Sequence, residues 1–101
     1  MPDHSEIIQG LQSEDERDRA FAVEDIVFEG ICGGLDLLIE HIQREKSVFV
    51  REVIVNNIPQ IQDLALVQKL LPLLRSDDAF IRNAIIDIVS TRRDEVAAYL
   101  E

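Results

Sequence analysis

Three arginines divide this chain into matching lengths. Arg19, Arg51 and Arg82 stand 32 and 31 residues apart, and each has the same surroundings. Upstream of each lies an apolar helical stretch: Ile7-Ile8-Gln9-Gly10-Leu11, Ile39-Glu40-His41-Ile42 and Leu70-Leu71-Pro72-Leu73-Leu74. Four residues before each Arg is a helix-capping type, namely Asp15, Ser47 and Asp78. A second apolar run follows each Arg. A period in the low thirties with two helical runs per period predicts an all-α chain built as a short stacked α-solenoid. No single helix pair of such a chain can bury its own apolar face, so neighbouring pairs must cover one another.

Registering the chain on the arginines predicts three helix pairs, over residues 4–30, 35–59 and 63–91, within one domain of residues 1–101. In the first pair, Ile7, Ile8 and Leu11 form the stripe of the first helix. Asp15 caps the second, where Ala20, Phe21, Val23, Ile26 and Val27 keep helical spacing. Gly30 and the pair Gly33-Gly34 end it. In the second pair, Leu35, Leu38, Ile39 and Ile42 share a face; Ser47 then caps a helix with Val50, Val53, Ile54 and Ile58 inward, closed by Pro59. In the third, Leu66, Val67, Leu70, Leu73 and Leu74 are core positions over 64–75, and Pro72 should bend or break that helix. Asp78 caps the last full helix, with Ile81, Ala84, Ile85, Ile88 and Val89 inward. Residues 94–101 (Val96, Ala97, Leu100) read as a C-terminal half-repeat that caps the last core face. The 47% hydrophobic content includes only 5% aromatic residues and no Trp, so the expected core is Leu, Ile and Val.

Charge narrows the function classes. Twenty acidic residues against ten basic give a net charge of −10. Nucleic-acid binding rests on Lys and Arg neutralising phosphates, and anionic membranes attract the same residues, so neither is expected as a partner. A protein partner with basic character fits better. The single cysteine, Cys32, has no second thiol in the chain to pair with, and a reducing, cytoplasmic setting is expected. The opening residues Met1-Pro2-Asp3-His4-Ser5-Glu6 do not read as a signal peptide, and no apolar run approaches membrane-spanning length.

The stretch Leu73-Leu74-Arg75-Ser76-Asp77-Asp78-Ala79-Phe80-Ile81-Arg82-Asn83-Ala84 resembles the turn and second helix of a HEAT repeat. The short bacterial subtype of phycobilisome-lyase-like proteins is the most similar. The second copy, from Ile42 to Val53, carries Glu45-Lys46-Ser47 at the turn. The first, from Leu11 to Phe21, departs further, with Asp18 where Val50 and Ile81 stand. The resemblance implies a short right-handed α-solenoid, a HEAT-like α-α superhelix, and a scaffold for protein–protein contact. A second implied role is that of accessory subunit or chaperone in a phycobilin-lyase-like system, for which bound tetrapyrrole absorbance would be the sign. It also implies structural arginines whose guanidinium groups reach acidic or carbonyl groups in the neighbouring repeat's turn, with Glu14, Asp15, Glu45, Asp77 and Asp78 as candidate partners. A ligand-binding row of arginines is the other reading.

Catalytic and metal signals are weak. His4 and His41 are the only histidines, expected at the surface, and Glu40-His41 lacks the converging ligands a metal needs. Cys32 lies among Gly30, Gly33 and Gly34 with Glu29 and Asp36 near, surroundings that do not favour a thiolate, so a packed loop thiol is expected. No phosphate loop and no Ser/His/Asp spacing stands out. The expectation is a non-enzymatic adaptor with no cofactor.

Candidate partner contacts therefore come from the second helices, which line the concave side in HEAT-like stacks. Glu24, Asp25, Glu52, Asn56, Asn83 and Asp87 project outward there, with an apolar margin of Val23, Val55 and Ile86. Phe49 and Phe80, each two residues before its Arg, are either tucked under a neighbour or exposed as binding aromatics. The same row read as a plain solvated face is the alternative. Homo-oligomerisation through exposed solenoid ends, using Ala98 and Tyr99, is a further possibility.

Overall fold

The computed structural model describes residues 4–92, and every element within that span is helical. Six α-helices follow in order: α1 (His4–Gly10), α2 (Glu16–Phe28), α3 (Gly34–Ile42), α4 (Val48–Asn57), α5 (Leu66–Leu70) and α6 (Ala79–Ser90). The half-repeat expected at 94–101 lies outside the described residues. The chain divides after Ile61 into two compact units.

In the first unit α2 packs against α1, α3 and α4, and α3 packs against α4. Its buried side chains include Ile7, Leu11, Ala22, Val23, Ile26, Leu35, Leu38, Ile42, Val50, Ile54 and Ile58. In the second unit Leu66, Val67, Leu70, Leu73, Ile81, Ala84, Ile85 and Ile88 are buried. Among the described residues both cores are aliphatic. Phe21, which the spacing puts inward, is 62% exposed instead, because Ala20, Ala22, Val23 and Ile26 define a buried arc on the other side of α2.

Helix starts follow the caps. Asp15 Oδ1 accepts the Arg17 amide at 2.8 Å, Ser47 Oγ the Val50 amide at 3.3 Å, and Asp78 Oδ1 the Phe80 and Ile81 amides at 2.9 and 3.4 Å. Each satisfies a donor that the first helical turn leaves without a partner. The Asp78→Ala variant should therefore lose about 1 kcal/mol in urea unfolding, and a midpoint unmoved from that of the parent chain would refute the cap's contribution.

Helix ends are set by glycine and proline. Gly30 (φ 61°) and Gly33 (φ 77°) adopt the left-handed conformation between α2 and α3. Gly34, expected among the terminating residues, is instead the first residue of α3, where a Cβ would stand 2.9 Å from Ile26 Cγ2. Pro59 lies in a short 3-10 turn, Ile58–Gln60, at the end of α4. Pro72 has the effect its position predicts: α5 stops at Leu70 and the chain continues as a 3-10 helix, Leu71–Arg75.

Candidate interaction surface and the arginine clamps

All three register arginines make the same bond. Arg19 Nη1 donates to the Ser13 carbonyl at 2.8 Å, Arg51 Nε to the Glu45 carbonyl at 2.7 Å, and Arg82 Nη1 to the Ser76 carbonyl at 2.6 Å. In each case the acceptor lies six residues earlier, in the turn before the arginine's own helix. The resemblance implied acidic or carbonyl groups in a neighbouring repeat's turn. The carbonyl belongs to the same repeat, while Glu45, one of the expected partners, lies in the next repeat's turn and is reached by Arg19. The residue that offers this carbonyl also receives the cap residue's amide on its side chain. Ser13 Oγ accepts from Asp15 N (3.2 Å), Ser76 Oγ from Asp78 N (3.1 Å) and Glu45 Oε2 from Ser47 N (3.1 Å). The turn and first helical coil of each repeat are thus held by a clamp of three residues: acceptor, cap and arginine.

The second clamp has an addition. Glu45 is buried, and Arg19 of the preceding repeat reaches it with Nε to Oε1 at 2.8 Å and Nη2 to Oε2 at 3.1 Å. This paired geometry is what a planar guanidinium offers a carboxylate. His41, one turn earlier, places Nε2 2.9 Å from Oε1. Burial pushes the Glu45 carboxyl upward, the largest single influence on it. The hydrogen bonds from Arg19, the Ser47 amide and His41 together outweigh burial and bring it down to about 2. Because Glu45 is ionised, the shared proton sits on Nε2 of His41. His41, expected at the surface, is therefore a buried member of this network. Ser47 Oγ adds a link to Glu16 at 2.6 Å. A cleft of about 290 Å³ opens beside the network, lined in part by Gln12, Ser13, Arg19, His41, Glu45 and Lys46. Every oxygen of Glu45 is already committed to protein donors, so this carboxylate has no role left as a base.

No family model, curated protein or solved structure matches the chain.

The expected contact residues fall in both units. In the first, Glu24 and Asp25 on α2 and Glu52 and Asn56 on α4 are exposed; Phe49 is 48% exposed, and Val55 is half-buried. Val23, the first member of the expected apolar margin, is fully buried in the core. In the second unit Asn83 and Asp87 on α6 are exposed, Ile86 is 50% exposed, and Phe80 is half-buried. Cys32 is exposed in the turn between α2 and α3, because that turn carries it away from the core that takes Ile31. Among the described residues no group of three or more His, Cys, Asp or Glu side chains converges as a metal site would. No helix of the described residues is long and apolar enough to cross a membrane.

Two features escaped the sequence reading. The His41–Glu45 contact had a signal available, since residues four apart on a helical stretch share a face. Phe21 and Phe28 on α2, 62% and 86% exposed, also had one: a helical wheel places both opposite Val23 and Ile26.

Proposed function

We propose that this chain is a cytoplasmic, non-enzymatic interaction module of HEAT-like solenoid design. It binds a basic protein partner through the outward row of its second helices. The observation that supports this reading is the company of the half-exposed apolar side chains. Phe49 on α4 stands among Glu52 and Asn56, and Ile86 on α6 stands beside Asn83 and Asp87. A mixed apolar and anionic surface suits contact with a partner that brings both apolar and cationic groups. The Glu45 carboxylate is taken up by Arg19, His41 and the Ser47 amide, which supports a structural role for that group.

The test is affinity capture from native lysate with the parent chain beside Glu52→Lys and Asp87→Lys. Charge reversal at the row should weaken retention of the true partner by roughly tenfold or more and leave helicity unchanged. If both variants retain the same proteins to the same extent, the row is only a solvated face.

A further inference from the structure

The chain uses its phenylalanines against the usual grain. Of four in the sequence, three (Phe21, Phe28 and Phe49) are 62%, 86% and 48% exposed, while the buried positions go to aliphatic residues. Single exposed apolar residues are ordinary on a protein surface. Phe21 and Phe28 are not scattered singly. Seven residues apart on α2, they lie about 20° from each other around the helix and about 10 Å apart along it. Together they leave roughly 300 Å² of aromatic surface open, the scale of a functional patch on a small protein. The helix that carries them is fixed on its other side by α1, α3 and α4, so the strip is displayed on a rigid support.

Its surroundings are anionic. Glu24 and Asp25 are exposed between the two rings, Asp18 is exposed in the first turn, and Glu29 follows Phe28 at the C-terminal cap. Arg17, at the start of α2, is ion-paired with Asp15 at 3.5 Å. The helix C-terminus beside Phe28 adds the negative end of the helix dipole.

We propose that the Phe21–Phe28 strip of α2 is a docking site for a basic amphipathic helix. Leu-type side chains of that helix cover the two rings. Its Lys and Arg residues meet Glu24, Asp25 and Glu29, where cations also interact well with an aromatic face. A second copy of this chain is a poor occupant: it brings net charge −10 and the same carboxylates against the strip. The strip uses residues of α2, whereas the contact residues proposed above for the basic partner are on α4 and α6, so either reading can fail without the other.

The test titrates the full chain with a synthetic two-heptad Leu/Lys amphipathic helix, followed by calorimetry and by amide chemical shifts. Saturable binding with the largest shifts along α2 is expected. Phe21→Ala and Phe28→Ala should each weaken it about tenfold, as truncation of an interface anchor does, with thermal stability unchanged. Absence of binding overturns the proposal. So does binding that high salt abolishes and neither alanine variant alters, which is charge adhesion alone. Shifts centred on Phe49 and Glu52 would overturn it too, while favouring the α4 row. Concentration-dependent self-association of the parent chain that the alanine variants relieve would assign the strip to a second copy instead.

Discussion

Replacing Glu45 with leucine should cost this chain about 3–4 kcal/mol of unfolding free energy, read by urea denaturation. Three partners lose their acceptor at once: the Arg19 guanidinium, the Ser47 amide and Nε2 of His41. Removing one member of a buried charged network costs more than the network itself contributes, because the partners stay buried without compensation. The double variant Arg19→Met with Glu45→Leu should recover part of the loss, since packing replaces both charges. A Glu45→Leu protein as stable as the parent would mean that the network is incidental.

The same carboxylate gives the fold an acid limit. Its pKa in the folded chain, about 2, lies below the ordinary value of 4.5, so the unfolded chain binds the extra proton more readily. The resulting stability, about 3 kcal/mol by linkage, is fully present above about pH 4.5 and is lost as pH falls towards 2. Glu45→Gln lacks this titration. The gap between parent and variant should therefore be widest near neutrality and close across that window; a gap independent of pH would sink the assignment.

A Gly10→Val substitution should destabilise the first unit by about 2–3 kcal/mol. A Cβ at Gly10 would stand 2.9 Å from Ala22 Cβ, an atom fixed directly to the backbone of α2. The neighbour cannot swing aside, so α1 itself must lift from α2. Alanine at this position gains up to about 1 kcal/mol of helix propensity, which the clash should exceed. Calorimetric melting decides it: a higher Tm for Gly10→Ala would show that the two helices can separate without loss. Gln9→Ala, at an exposed neighbouring position, supplies the control.

What the sequence made legible were the local features. Asp15, Ser47 and Asp78 act on amides two or three residues ahead, so their type and position suffice to find the helix starts. Pro72 likewise acts on its own turn, and the change to a 3-10 helix could be anticipated. The arginines gave the period and, in Glu45, one side-chain acceptor, but not the main-chain carbonyls they share as acceptors. A bond to a carbonyl six residues back exists only because the turn folds the chain onto its own helix, and spacing alone does not encode that path. Phe21 shows another limit: apolar type and approximate spacing marked it as core, whereas its angle around α2 places it outside. Glu45 was singled out as an arginine partner, yet its burial and the adjoining His41 depend on α2 meeting the turn after α3.

The clamp also says how such a chain can grow. The Arg-to-carbonyl bond is drawn from one repeat only, and any residue supplies a carbonyl. A helix pair can therefore be duplicated, moved or rewritten with its clamp intact. Glu45 stands apart from that freedom. Its main chain serves Arg51 in the interchangeable manner, while its side chain answers Arg19 of the pair before it. One residue thus holds both a part that copying preserves and a part that copying would orphan. The order of the first two pairs is written into the Glu45 carboxylate, with the Ser47–Glu16 bond beside it.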